Sequence, residues 1–171
     1  HPRVNILQPG PGVGGHCIAV DPWFIISRAP KQSRLIHTAR QVNNAKPGWV
    51  LKKVQEAIAL HLTNHSSLET EKDVVVASFG LTFKANIDDL RESPALEITQ
   101  ALDSAHLGPL LAVEPNINAL PSGLDGVTLV SVEEAIEQAH VAVLLVNHRE
   151  FAEIPVDKLK HLTVVDVQGL W

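Results

Sequence analysis

The sequence predicts an α/β fold, a parallel sheet flanked by helices, preceded by a glycine-rich loop and two helices. Three observations predict it. After residue 67, short β-branched runs alternate with amphipathic helical stretches, the pattern of a parallel sheet covered on both faces. Between residues 33 and 63, apolar residues recur at spacings of three and four. Ahead of both, four glycines fall within six positions, just before the only cysteine of 171 residues.

That loop reads Gly10-Pro11-Gly12-Val13-Gly14-Gly15-His16-Cys17-Ile18-Ala19-Val20-Asp21-Pro22. Glycine lets a backbone turn tightly and approach a ligand with no Cβ in the way. Asp21 lies four positions after Cys17. If the chain turns helical after the cysteine, the two share one face, and the thiol sits near a helix N-terminus, where a thiolate is favoured. An activated thiol can attack an aldehyde or acyl carbon, and a nearby carboxylate can deprotonate water. A buried structural cysteine and an Asp-Pro turn explain the same residues. The apolar run Trp23-Phe24-Ile25-Ile26 is expected to pack the loop onto something solid, and Ala29-Pro30 closes the segment.

Leu35, Ile36, Ala39 and Val42 predict a helix over 33–44. Pro47 suits the first turn of a second helix, over 46–63, with Val50, Leu51, Val54, Ile58 and Leu62 on one side. Asn64-His65-Ser66-Ser67 reads as its end and a linker. Strands follow at 74–79, 110–113, 128–130, 141–146 and 163–167. Helices open at Ser93-Pro94 and at Ser131-Val132-Glu133-Glu134, where a capping residue precedes the first turn, and a short one is expected over 156–162. The segments are 1–32, 33–66 and 67–171. Ligands of open parallel sheets sit at the carboxyl ends of strands, here residues 80–91, 114–118 and 147–149.

The longest of these ends carries Phe83-Lys84-Ala85-Asn86-Ile87-Asp88-Asp89-Leu90-Arg91-Glu92-Ser93-Pro94-Ala95. Lys84, Asn86 and Arg91 lie between a strand end and a helix N-terminus, a favourable place for phosphate oxygens. A solvated loop whose Asp88, Asp89 and Glu92 pair with the bases is the other reading. His61 and His65 share a helical face, yet a polar, solvated helix end explains them better than a metal. A formal charge of -5 and a pI near 6.0 give no general pull toward nucleic acid or an anionic membrane. No apolar run approaches a membrane span. A single cysteine excludes an internal disulfide and fits a reducing cytoplasm. The chain contains no methionine, so His1-Pro2-Arg3-Val4 reads as an entry point into a longer protein.

The glycine loop and the Phe83-Lys84 motif together resemble the UDP-glucose/GDP-mannose dehydrogenase family, and the His-Cys-Ile form of the loop resembles its N-acetylhexosamine branch. The resemblance covers the second half of such an enzyme. It implies oxidation of the C6 alcohol of a UDP-N-acetylhexosamine to a carboxylate, with NAD as oxidant. Cys17 then matches the nucleophile that holds the aldehyde as a thiohemiacetal and later a thioester, and Asp21 matches the aspartate assisting the water steps. Gly12, Gly14 and Gly15 match the stretch wrapping the sugar, Phe83 and Lys84 the UDP-sugar site, and Arg91 the arginine reaching the NAD pyrophosphate. His16 either helps select the acetamido sugar or only shapes the loop. Val20 stands where UDP-glucose dehydrogenases usually carry lysine, which argues against glucose. The resemblance also implies a Rossmann-like UDP-binding domain over 67–171, a homodimer built in part by the helices of 33–63, and an NAD-binding domain before His1. A non-catalytic UDP-binding module with a structural Cys17 is the rival reading.

Overall fold

Five short strands form one parallel sheet in the order β3-β2-β1-β4-β5: β1 (Val76–Phe79), β2 (Leu110–Val113), β3 (Val127–Leu129), β4 (Val141–Leu144) and β5 (Thr163–Asp166). The computed structural model describes residues 8–65, 68–106 and 108–171. The linker expected at Ser66-Ser67 and the opening His1-Pro2-Arg3-Val4 lie outside them. In register, Val76 pairs with Leu110 on one side and Val141 on the other. Strands β1, β2 and β4 are buried along their whole length, which is why they do not alternate apolar with polar residues, β1 carrying one polar residue, the buried Ser78. The chain leaves β1 toward β2 and β3, then returns to add β4 and β5 on its other side. The crevice of the sheet therefore opens where the carboxyl ends of β1 and β4 diverge.

Alternate residues of each strand face opposite ways, and each face has its own helices. Val76, Ala112, Val141 and Val143 meet Val50, Val54, Ala57 and Ile58 of α3 (Lys46–Asn64) and Ala95, Ile98 and Leu102 of α4 (Pro94–Ala105). Ala77, Phe79, Leu111 and Leu144 meet Ala135 and Ile136 of α5 (Val132–Gln138), Phe151 of α6 (Arg149–Ala152), and Leu159 of a 3-10 turn. Helix α3, read from the sequence as part of a linking segment, thus belongs to the packing of the sheet. The expected helix starts are present: Ser93 Oγ accepts the Leu96 N–H at 3.3 Å, and Ser131 with Glu134 forms a capping box.

Several details differ from the sequence reading. The strands at 74–79 and 141–146 are shorter, because Val74, Val75, Leu145 and Val146 continue the apolar run beyond the ladder. The third strand begins at Val127 and ends at Leu129. In place of a helix over 156–162 there is a 3-10 turn at Val156–Leu159, and α6 and a second 3-10 turn at Glu71–Asp73 were not expected. Trp23-Phe24-Ile25-Ile26 does not pack the loop onto a core. It lies in α1 (Asp21–Arg28), which buries no residue and leaves Phe24 70% exposed. This helix rests on α2 (Arg34–Asn44), with Trp23 edge-on to His37 at 5.9 Å. His61, expected on a solvated face, is buried instead, its Nδ1 2.9 Å from Thr163 Oγ1 and its ring stacked on His65. Sheet packing of α3 turns His61 inward while His65 stays exposed, a difference that the spacing of the two residues alone could not show.

Candidate active site

The glycine loop lies directly on the loop between β1 and α4. At Gly14 a Cβ would come within 2.2 Å of the Glu92 carbonyl oxygen, and at Gly15, which has φ of 87°, within 2.9 Å of the Phe83 ring. Neither position admits a side chain. Gly12 faces Pro94 at 3.1 Å. These glycines are therefore required by contact with residues 83–94, a different cause from clearance for a ligand. The two motifs that sequence reading kept about 70 positions apart form one surface.

Asn43 near the end of α2 fixes the loop from the other side. Its Oδ1 accepts the Val13 N–H at 2.8 Å, and its Nδ2 donates to the Val13 carbonyl at 3.3 Å. One carboxamide thus satisfies both backbone groups of a residue, as a neighbouring strand would. Sequence reading missed Asn43, whose only signal was a polar residue at the end of an amphipathic helix.

Cys17 is free and exposed. Its carbonyl accepts the N–H groups of Val20, at 3.0 Å, and Asp21, at 2.8 Å. The second bond closes an α-turn leading into α1, the helical spacing that places residues i and i+4 on one face. Arg91 lies within electrostatic reach of the Cys17 side chain, and Asp89 within reach of His16. Arg91 donates from Nε and Nη2 to the Asp89 carboxylate, Nη2 at 2.6 Å. The Arg91 side-chain hydrogen bonds, followed by its backbone N–H, hold the Asp89 carboxyl down to about 2. The pair is solvated, so it orients the guanidinium more than it stabilises the fold. The remaining guanidinium N–H groups have no partner among the described residues, and their geometry suits a phosphate. Among the described residues Arg91 is the one the family resemblance assigns to NAD, and its donor chemistry fits a pyrophosphate oxygen. The β1–α4 loop itself has no glycine turn at the N-terminus of α4 of the kind that cradles a dinucleotide.

Lys84 is exposed, in a turn held from beneath. Thr82 Oγ1 donates to the Lys84 carbonyl at 2.9 Å, and the Phe83 N–H donates to the Asp89 carbonyl at 3.1 Å. Asn86 and Glu92 flank the motif with φ of 61° and 49°, left-handed values unusual outside glycine. At the ends of β2 and β4, Glu114 and His148 are buried and joined at 3.0 Å. Sequence reading marked both strand ends as ligand positions but gave these residues no role. Burial pushes the Glu114 carboxyl up, but hydrogen bonds from His148, the Leu81 N–H and Asn116 outweigh it and bring it down to about 2.

A cleft of about 430 Å³ lies between the glycine loop, α1, α2 and the start of α4, lined by Val13, Trp23, Arg40, Glu92 and Gln100 among others. Cys17, Asp21 and Lys84 do not line it; they stand on the open surface. The cleft holds the Arg40 guanidinium but not the thiol, so the groups that sequence reading singled out for chemistry lie outside it.

Comparison with known proteins gives two family matches. Residues 77–171 match the UDP binding domain of the UDP-glucose/GDP-mannose dehydrogenase family, and residues 1–45 match its central domain. An NDP-N-acetyl-D-galactosaminuronic acid dehydrogenase of Ralstonia nicotianae is 54% identical over 171 residues, covering 100% of this chain and 38% of its own length. A UDP-N-acetyl-D-mannosamine dehydrogenase of Salmonella typhi is 55% identical over 172 residues, covering 100% and 40%. The chain therefore spans about two fifths of the length of the relatives it matches. Among solved structures, a UDP-D-ManNAc dehydrogenase of Pyrococcus horikoshii superposes with a TM-score of 0.75 at 28% identity, covering 100% of this chain and 38% of that one. A UDP-N-acetyl-mannosamine dehydrogenase of S. aureus gives 0.72 at 35% identity, covering 99% and 38%.

Proposed function

Because the chain belongs to the UDP-glucose/GDP-mannose dehydrogenase family, we propose that it forms the thiol-bearing, UDP-sugar-binding part of an NAD-dependent dehydrogenase. Its reaction is oxidation of the C6 alcohol of UDP-N-acetyl-D-mannosamine to the uronic acid, a precursor for surface polysaccharide, in the cytoplasm. The observation that carries this reading is the docking of the Cys17 loop on the loop of Lys84 and Arg91, through Gly14 on Glu92 and Gly15 on Phe83. A nucleophile and a set of phosphate donors then share one face.

In this reading Lys84, with Phe83 beside it, holds the UDP portion, and Gly12 to Gly15 with His16 border the sugar. Cys17 Sγ adds to the C6 aldehyde to give a thiohemiacetal, whose oxidation leaves a thioester on the same sulfur. Asp21, one α-turn on, takes a proton from the water that hydrolyses it and frees the thiol. Two molecules of NAD, bound in turn, would supply the hydride acceptors, the first for oxidation of the alcohol to the aldehyde and the second for the thiohemiacetal, with Arg91 holding the pyrophosphate. The open surface around Cys17 and Asp21 calls for further walls to exclude water, which the part of the relatives not spanned by this chain would supply. Exposed Leu35, Val42, Trp49 and Leu60 on α2 and α3 are the apolar face we assign to a homodimer. The mannosamine epimer rests on the relatives' names; those for the galactosaminuronic product are nearly as similar.

The test is the full-length protein with Cys17→Ala, assayed for NADH formation with UDP-N-acetyl-D-mannosamine. Turnover is expected to vanish while UDP binding persists. Unchanged turnover overturns the assignment and favours a binding module, a reading the exposed thiol already disfavours.

A further inference from the structure

Glu114 and His148 have side chains fully shielded from solvent, and the chemistry above uses neither. Their hydrogen bonds define one arrangement. His148 Nδ1 accepts the backbone N–H of Asn86 at 2.9 Å and lies 3.1 Å from Asn116 Nδ2, also a donor. Two donors on Nδ1 put the ring proton on Nε2, which donates to Glu114 Oε2 at 3.0 Å. The same carboxylate oxygen accepts the N–H groups of Leu81, at 2.8 Å, and Thr82, at 3.2 Å. Its partner oxygen takes the N–H and Nδ2 of Asn116.

These bonds converge on one stretch of backbone. Residues 81, 82 and 86 are tied, and Lys84 lies between them, its own carbonyl held by Thr82. Asn86 is gripped twice, by His148 at its N–H and by the Arg149 N–H, which donates to its Oδ1 at 3.0 Å. A buried, hydrogen-bonded carboxylate and a left-handed residue other than glycine both cost stability that an apolar core and a glycine would not. What they secure is the path of the Lys84 turn.

We infer that Glu114 and His148 are positioning residues for the nucleotide diphosphate: they hold Asn86 in its left-handed conformation and so fix where Lys84 presents its ammonium group. This rests on the reading of Lys84 as a diphosphate ligand. Besides Glu114, the clamp is flanked by Arg149 and Glu150 on α6, which pair with each other. None of them replaces the Nδ1 acceptor that Asn86 uses.

The experiment exploits the two ends of the imidazole in the full-length protein. His148→Asn keeps an acceptor at the δ position and loses the link to Glu114; His148→Gln keeps a donor at the ε position and loses the acceptor for Asn86. UDP titration of the wild type and of Lys84→Gln comes first. Without UDP binding, or with equal binding by both, the reading of the site fails. With that reading intact, His148→Asn is expected to stay within about threefold of wild type in UDP affinity and substrate KM. His148→Gln is expected to lose about tenfold in both at nearly unchanged kcat. Equal values for the two variants overturn the inference. Should either fail to fold, Asn86→Gly and Asn86→Ala decide. Both lose the Oδ1 bond to Arg149, but Gly accepts the left-handed φ whereas Ala resists it, so Ala is expected to bind UDP about tenfold more weakly than Gly. Equal affinities overturn it.

Discussion

Asn43 and Val13 are joined by a reciprocal pair of hydrogen bonds, side-chain oxygen to N–H at 2.8 Å and side-chain nitrogen to carbonyl at 3.3 Å. The loop that carries Cys17 is thus indexed to helix α2. Asn43→Asp keeps the acceptor but sets a carboxylate against the Val13 carbonyl. The expected outcome is a loss of about 1–2 kcal/mol of stability and a fall in kcat of the full-length enzyme. Chemical denaturation and steady-state assay check the two together.

Gly14→Ala forces a Cβ to within 2.2 Å of the Glu92 carbonyl oxygen. Backbone cannot yield there without undocking the loop. We expect more than a tenfold loss of kcat/KM, about 1.4 kcal/mol or more at the transition state, with the midpoint of thermal unfolding little altered. The sheet core does not include this contact, so a variant with full activity contradicts the docking described.

Acid should weaken the fold in two phases. His61 and His140 are held below their ordinary 6.5, first by burial and then by neighbouring histidines. A base with a depressed folded-state value contributes stability above pH 6.5 that is lost as pH falls toward that value. The slope is at most about 1.4 kcal/mol per pH unit for each histidine. His140 Nδ1 also accepts the Val75 N–H at 2.9 Å, so protonation there breaks a bond. His140→Asn, which keeps a δ acceptor without titrating, should flatten the slope below pH 6.5. The second phase belongs to Glu114. Its stabilisation is complete above its ordinary 4.5 and fades as pH drops toward about 2. Urea unfolding across pH 2–8 reads both phases.

Ser93→Ala removes two bonds, the cap to the Leu96 N–H and the hydroxyl's 2.7 Å donation to the Leu81 carbonyl. The cost expected is about 2 kcal/mol, at the upper end for a helix cap, because the Leu81 carbonyl is left in a buried setting. Ser93→Thr should recover most of it. Equilibrium unfolding of the three proteins measures the difference.

The elements were legible wherever a local rule dictated them. Ser93-Pro94 and Ser131 with Glu134 announced helix starts because capping is settled within four residues, and the apolar runs announced buried strands. What stayed hidden depends on partners distant in sequence. Nothing local distinguishes Asn43 from Asn44, and only the fold shows which one meets Val13. Glu114 and His148 were visible as strand-end residues, yet their pairing needs β2 and β4 on either side of β1. Trp23, Phe24 and Ile25 were misjudged because hydrophobicity reports a preference for burial and not the surface that supplies it. Among the site residues, Cys17 and Lys84 stood out by residue type, while the reason for Gly14 and Gly15 appeared only with Glu92 and Phe83 against them.

The sheet order has a kinetic corollary. Strand β1 acquires β2 early but waits for β4, and the clamp on Asn86 waits with it, since His148 lies 62 positions further along the chain. Such non-local pairing is slow to form. Until β4 arrives, β1 presents an open edge of Val76, Ala77, Ser78 and Phe79, a template for mispairing in a nascent chain. The turn bearing Lys84 is therefore synthesised early and shaped late, and a chain interrupted before β4 carries the lysine without the means to aim it.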